Sequence, residues 1–425
     1  MKDLIRTGMP GVVALGAVFL GFWACGTPAV QAATGISAPV PLVSPRTPAD
    51  PAFTAWVKSF RKEAVAAGVK ASVYDRAMSG LNPDPDVIAA DRNQPEFSKP
   101  VWGYLESALS DKRVANGKAM LRSHEKALAR IEKAYGVDRR IVVAIWGLES
   151  AYGQFTGSLH VLRSLATLGY DGRREAFAKS QLIAALKIVQ AGDIAPERMM
   201  GSWAGAMGQT QFIPTTYLIH AVDFDGDGRR DIWNSADDAL ASTAHLLSRS
   251  GWKTGQSWGY EVTLPNGFDY AEADRSNRRS VAQWRALGVR MADGGALPAG
   301  DDAQSAAILL PAGHRGPAFL VLPNFKAILA YNNSTSYALA VGLLSQRFAG
   351  QGEIVRDWPR DERPLKRSER EALQRALTNA GYDTKGVDGI IGYNTRQAIR
   401  RYQKAHGLPA DGHPNERLLR KLNSR

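Results

Sequence analysis

The chain has 425 residues, 44% of them hydrophobic and 22% charged, with 53 Lys and Arg against 41 Asp and Glu for a formal net charge of +12. At roughly 100–200 residues per domain this length calls for two or three domains, and the composition excludes wholesale disorder and a multi-span membrane protein. The positive balance favours an anionic partner, whether nucleic acid, membrane surface or cell-wall polymer, while the single cysteine, Cys25, excludes an intramolecular disulfide and a cysteine zinc cluster.

Lys2 and Arg6 precede an uncharged apolar run from Gly8 to Cys25, followed by Val30-Gln31-Ala32 with small residues at the −3 and −1 positions. This is the layout of a secretory signal peptide over residues 1–32. The run is short for a bilayer span, which needs about 20 apolar residues. The alternatives are a lipid anchor at Cys25, for which Phe22-Trp23-Ala24 is a poor preceding box, and a retained N-terminal anchor. Each places the bulk of the chain outside the cytoplasm, in a periplasmic setting, and disfavours a nucleic-acid partner. Residues 33–51 carry five prolines and are expected to be an extended linker.

From Phe53 to about Phe348 the pattern is helical for the most part. Asp138 is placed to cap a helix in which Ile141, Ile145 and Leu148 recur at helical spacing. Leu182, Leu186 and Val189 mark another, stopped by Gly192. Pro214 opens a helix over 215–222, and Ser235 caps one through Ala239, Leu240 and Leu247 that ends at Gly251. Strand signals gather around 260–264 and 306–322. The fold class is therefore mainly α with a small β-containing part, an α+β arrangement. Residues 350–366, polar and containing Pro359 and Pro364, form a linker to a small domain from Arg367 to the end. Residues 351–425 hold 16 Lys and Arg against 10 Asp and Glu, half of the net charge in under a fifth of the chain.

Glu149 is the carboxylate at the end of the apolar stretch Ile141 to Leu148. Four residues separate Ile141, Ile145 and Glu149, which sets Glu149 near the buried stripe. Burial disfavours the charged form, and a glutamic acid still protonated near neutral pH can give a proton to a leaving oxygen. A helix-end cap or a structural ion pair is the plainer reading of the same position. The stretch from Gly201 to Pro214 is rich in small residues that let backbone approach a ligand, with Ser202, Gln209 and Gln211 as polar contacts. Tight helix packing is the alternative there.

Taken together, Glu149-Ser150-Ala151-Tyr152-Gly153, Gly201-Ser202-Trp203-Ala204-Gly205-Ala206-Met207-Gly208, Gln211-Phe212-Ile213-Pro214 and Tyr331-Asn332-Asn333-Ser334 with Tyr337 resemble the lytic transglycosylases of the lysozyme superfamily. The membrane-bound lytic murein transglycosylase B family is the nearer match, over about residues 50–350 and with the order preserved. The resemblance implies a lysozyme-like catalytic domain over 52–349. It implies cleavage of the β-1,4 bond between N-acetylmuramic acid and N-acetylglucosamine in peptidoglycan, with the muramic C6 hydroxyl closing a 1,6-anhydro ring. One carboxyl, Glu149, would act first as acid and then as base. Hydrolysis would need a second carboxylate, and Asp171 and Glu175 keep a muramidase open; a non-catalytic wall-binding scaffold is the rival from another class. By the same resemblance Ser202 and Gln211 line the sugar cleft, completed by Tyr331, Asn332 and Tyr337, with Tyr337 near Glu149. Aromatic core packing is the alternative for the two tyrosines. Trp203 stands where the family more often has phenylalanine, a change that bears on subsite shape and not on the chemistry.

Asp223-Phe224-Asp225-Gly226-Asp227-Gly228-Arg229-Arg230-Asp231 resembles an EF-hand calcium loop, with alternating oxygen ligands and glycine at the sixth position. Its twelfth position is Asn234, not glutamate. The family has a similar loop closed later, which here matches Asp237. The implied ligands are Asp223, Asp225, Asp227 and Asp237 with the main-chain oxygen of Arg229, holding structural Ca2+; a solvated Asp-Gly turn is the alternative. No organic cofactor is implied. Leu373 and Leu377, Val387-Asp388-Gly389-Ile390-Ile391-Gly392-Tyr393 and Ala398 to Gln403 resemble a three-helix peptidoglycan-binding domain over 367–425. It would tether the enzyme to glycan strands. The expected partners are thus peptidoglycan and other cell-wall enzymes, with the protein a monomer.

Overall fold

The computed structural model describes residues 50–92 and 99–424. The signal segment, Cys25 and nearly all of the proline-rich linker lie outside these residues. Among the described residues no helix is long and apolar enough to cross a membrane. The chain divides into two compact units, one comprising residues 99–152 and 240–424, the other 50–92 and 153–239. Both are dominated by helices.

In the first unit the helices Val101–Ala108, Asp111–Ser123, Glu125–Tyr135 and Arg139–Ser150 are joined by Pro323–Tyr331 and Thr335–Phe348. Asp138 caps Arg139–Ser150 by accepting the Arg140 amide at 2.7 Å, and every residue from Ile141 to Ser150 is buried. A helix apolar all round belongs inside a core, and Thr335–Phe348 supplies much of the covering. Between these helices lies an antiparallel five-stranded sheet with strand order Arg279–Ser280, Ser305–Leu309, Ala318–Val321, Gly259–Thr263, Arg290–Met291. Its central pairing sets Val262 opposite Ala318 and Ile308 opposite Leu320. The core beneath is built on Trp284, whose indole N–H donates to the Ala306 carbonyl at 3.0 Å.

The C-terminal helices Arg367–Asn379, Tyr393–Ala405 and Glu416–Asn423 enclose a separate core of Leu373, Leu377, Ile399, Tyr402, Leu418 and Leu422. This domain is seated on the sheet region. His314 meets the Asp411 carboxylate through its amide at 2.9 Å and its Nδ1 at 2.6 Å, and Arg400 pairs with Asp274 and donates to the Ala273 carbonyl. The irregular segment before it is also laid down. Its Val355 and Arg356 amides donate to the Glu261 carboxylate at 2.7 and 2.9 Å, Arg360 pairs with Glu106, and Trp358 lies 6.2 Å from Trp102, centroid to centroid. A polar, proline-containing stretch reads as a free linker because such partners are far away in sequence.

The second unit comprises Pro51–Ala66, Ala71–Met78, Pro85–Arg92, Val161–Asp171, Glu175–Ala191 and Pro214–His220, with a two-stranded ladder pairing Leu159–His160 and Met200–Gly201. Gly192 stops Glu175–Ala191 at φ 89°, as the sequence implies. Trp203 is buried with Val87, Leu168 and Ala178, so its extra bulk is taken up by the core of this unit.

Candidate active site

Glu149 sits on the last turn of Arg139–Ser150, 8% exposed. Its Oε1 accepts a 2.6 Å hydrogen bond from the phenol of Tyr337, itself 1% exposed on Thr335–Phe348. Ser334 caps that helix by accepting the Tyr337 amide at 3.3 Å, and Asn332, 5% exposed, accepts the Ser334 amide at 3.2 Å. Tyr331 stacks on Tyr337, with centroids 6.3 Å apart and rings 10° from parallel, and is hydrogen-bonded to Thr243. The motif Tyr331-Asn332-Asn333-Ser334 is therefore the turn that aims Tyr337 at Glu149.

The electrostatics follow from this burial. Desolvation pushes the Glu149 carboxyl up to about 8, against the Tyr337 hydrogen bond, which acts in the opposite direction. Burial, and then the Glu149 charge, raise Tyr337, Tyr331 and Tyr104 well above the ordinary phenol range. Such surroundings favour the protonated carboxyl among neutral phenols, a group chemically able to give a proton near neutral pH. Tyr104 escapes sequence reasoning, since one aromatic in a short apolar helix carries no motif. Asp171 and Glu175 are engaged in ion pairs of the second unit, with Arg92 at 2.9 Å and Lys179 at 2.7 Å.

Ser202 and Gln211 belong to one loop of the second unit. Ser202 Oγ accepts the Ala206 amide at 3.0 Å, and the Ser202 amide donates to the Ala206 carbonyl at 2.8 Å. Gln211, at φ 50°, donates from Nε2 to the carbonyls of Thr156 and Gly208 at 3.1 and 2.9 Å. The small residues have a local cause, because a Cβ at Gly201 would stand 2.2 Å from the Ala206 carbonyl oxygen. Gln209 holds the neighbouring turn, its amide donating to Ile232 at 2.8 Å. The structure thus gathers Glu149, Tyr331, Asn332 and Tyr337 in one unit and Ser202 with Gln211 in the other.

Asp223, Asp225 and Asp227 bring carboxylate oxygens within 4.8 Å of one another on an exposed loop. Among the described residues Asp237 stands outside this group. Its neighbour Asp238 is fully buried and accepts the amides of Phe224, Asp225 and Asp231 at 2.8, 3.3 and 2.8 Å. Asp238 therefore shapes the loop from inside, a role sequence reasoning missed. The donor set, three hard oxygens with the Arg229 carbonyl in the same turn, suits a hard cation such as calcium.

Comparison with known proteins agrees with this architecture. The pattern of the transglycosylase SLT domain matches residues 52–346, and that of a putative peptidoglycan binding domain matches 366–422. Membrane-bound lytic murein transglycosylase B of Escherichia coli K12 is 34% identical over 252 residues; the match covers 58% of this chain and 66% of that protein, just under two thirds. SltB3 of Pseudomonas aeruginosa, solved in complex with NAG-anhNAM-pentapeptide, is 56% identical, with a TM-score of 0.86 over 88% of this chain and all of that one. The lytic transglycosylase Slt35 of Escherichia coli, solved in complex with calcium, is 29% identical over 71% of this chain and 94% of its own, with a TM-score of 0.58.

Proposed function

The chain belongs to the transglycosylase SLT domain family, and we propose that it is a lytic transglycosylase that cuts the β-1,4 bond between N-acetylmuramic acid and N-acetylglucosamine to leave 1,6-anhydromuramic ends. The observation that supports this most is the buried Glu149, its carboxyl pushed up to about 8 and held by the Tyr337 phenol. In the first step the bond from the muramic C1 to the bridging oxygen breaks, and Glu149 gives its proton to that oxygen, which leaves as the glucosamine 4-hydroxyl. The muramic C6 oxygen then bonds to C1. Its proton passes to the Glu149 carboxylate, which restores the acid. No water enters, so one carboxyl that changes role suffices, whereas hydrolysis calls for two flanking the bond. Tyr337 steadies the carboxylate between the steps. Ser202, Gln211, Tyr331 and Asn332 are assigned polar contacts to the glycan.

The C-terminal domain, matched as a putative peptidoglycan binding domain, is assigned to wall attachment. The cationic balance of the chain suits the carboxylates of the wall's stem peptides. Export behind Ala32 places the enzyme in the periplasm, where this polymer lies. Asp223, Asp225 and Asp227 with the Arg229 carbonyl are assigned to calcium; bound there, the ion would supply rigidity and no catalytic step.

Mass spectrometry of sugar products decides the reaction. Incubating purified peptidoglycan with the protein and with Glu149→Gln is expected to yield anhydro-muropeptides from the first alone. Reducing muramic ends would make the enzyme a muramidase, and no products from either folded protein would leave a binding scaffold.

A further inference from the structure

The helix that carries Glu149 ends in an uncommon way. Ala151 has φ 48° and Tyr152 φ 63°, two successive left-handed residues with side chains, and the Tyr152 amide closes the turn on the Trp146 carbonyl at 3.2 Å. Most helices that stop like this use a single glycine. Side chains seldom adopt this backbone, and it persists only where the surroundings hold it. Here the holding group is the Tyr152 side chain, which folds back beneath its own helix. It is 7% exposed, and its ring stands edge-on to Trp146 at 5.7 Å. Gly147 leaves it room, since a Cβ there would lie 2.6 Å from the ring. The phenol donates to the Arg113 carbonyl on Asp111–Ser123 at 2.6 Å, in a space kept open by Gly117, where a Cβ would come within 2.7 Å of the hydroxyl. The Arg113 guanidinium, also buried, donates to the Ser107 carbonyl on Val101–Ala108, the helix that carries Tyr104.

We propose that Tyr152 is a positioning residue for the acid: its hydroxyl, anchored on Arg113, holds the left-handed turn that keeps the last turn of the helix, and so Glu149, in line with Tyr337. Tyr152 reaches Glu149 only through the backbone. Among the described residues the Tyr337 phenol on Thr335–Phe348 touches Glu149, the phenols of Tyr331 on Pro323–Tyr331 and Tyr104 on Val101–Ala108 feel its charge, and the Arg113 cation acts on Tyr104 and Tyr152. The inference rests on the reading of Glu149 as general acid and adds a residue that the motif contains but to which the chemistry gives no role.

The test uses the full chain with Tyr152→Phe, which keeps the ring and removes the anchor, and with the double variant Ala151→Gly, Tyr152→Phe. In Tyr152→Phe, kcat on a soluble muropeptide substrate is expected to fall about ten- to a hundredfold with KM little changed, as for a small displacement of a reacting group. The Glu149 carboxyl, followed by 13C NMR, is expected to titrate about a unit lower as water reaches it. Glycine at 151 accepts one of the two left-handed positions unaided, so the double variant is expected to regain part of both. Unchanged kcat and titration in Tyr152→Phe, or a lower melting temperature as its sole effect, would overturn the proposal, as would a loss that the glycine fails to restore. If the parent protein makes neither anhydro nor reducing products, the functional reading fails instead, and the Glu149 titration still reports on the positioning alone.

Discussion

Carboxyl groups behave in opposite ways at two places in this molecule. At the end of Arg139–Ser150 one carboxyl is buried among apolar residues and phenols and keeps its proton to about pH 8. On the loop 223–231 three are exposed and crowded, and Asp227 is held below its ordinary range by the side-chain hydrogen bond from Arg229. Water makes the difference. Removing it costs the charged form at Glu149, while at Asp227 the hydrogen bond from the Arg229 side chain favours the charged form. A buried acid suits proton transfer and an exposed anionic cluster suits a cation, and these are the two roles proposed for them.

The comparison breaks most severely at Glu149. Glu149→Gln is expected to lower turnover by at least about a thousandfold, since neither proton transfer remains. It is also expected to change stability in a pH-dependent way. An unfolded glutamate ionises near its ordinary value of 4.5, whereas the folded one holds its proton to about 8. Folding takes up a proton between those limits, so this group's contribution to stability is full below pH 4.5 and is lost as the pH rises through 8. The variant lacks that loss. Its margin over the parent should grow across the window by on the order of 4 kcal/mol, measurable by urea unfolding at pH 4.5, 6.5 and 8.5. A constant margin would mean that the carboxyl is ionised in the folded protein.

Tyr337→Phe is the next largest. It is expected to reduce kcat about ten- to a hundredfold, the effect of losing one hydrogen bond to a reacting group. That bond holds the Glu149 carboxyl down, so the upper limit of the kcat profile should move to higher pH. This is the opposite direction to Tyr152→Phe, which admits water, and the two profiles together separate a contact with the acid from the placement of the acid.

Much of the first site is legible in the amino-acid order. The cap at Asp138, the apolar run after it and the carboxylate at its end are local features, and so are Gly192 as a helix stop and the strand signals around 260. The partner of Glu149 is not local. Tyr337 lies 188 residues away, and it was the likeness of Tyr331-Asn332-Asn333-Ser334 to a family motif, not any spacing, that pointed to it. Tyr104 shows what remains hidden, because its nearness to the Glu149 charge follows from the packing of helices far apart in sequence. At the loop the difficulty is angular. Asp237 and Asp238 are neighbours at a helix start, about 100° apart around its axis, and distance along the chain cannot say which one turns inward. The structure turns Asp238 in, with full burial and three backbone amides to accept. Asp238→Ala, which strands those amides, is expected to lower stability by about 3 kcal/mol, read by denaturant unfolding, with kcat of the folded fraction retained.

Calcium should have the smallest effect. The loop is already fastened by Asp238 and by the Asp223 carboxylate, which accepts the amides of Gly226 and Gly228 at 2.7 and 2.9 Å. The pair of Asp227 with Arg229 is exposed and adds little. A cation held by the three carboxylates would stabilise the folded protein by mass action, worth about 2.7 kcal/mol when calcium is a hundred times its dissociation constant. The expected result is a melting temperature a few degrees higher in millimolar calcium than with chelator, with kcat below the transition the same in both, and loss of the shift in Asp225→Asn. Because no step of the proposed mechanism uses the ion, a chelator that abolished turnover in protein still folded would count against a purely structural assignment; an unmoved midpoint would reduce the loop to an Asp-Gly turn.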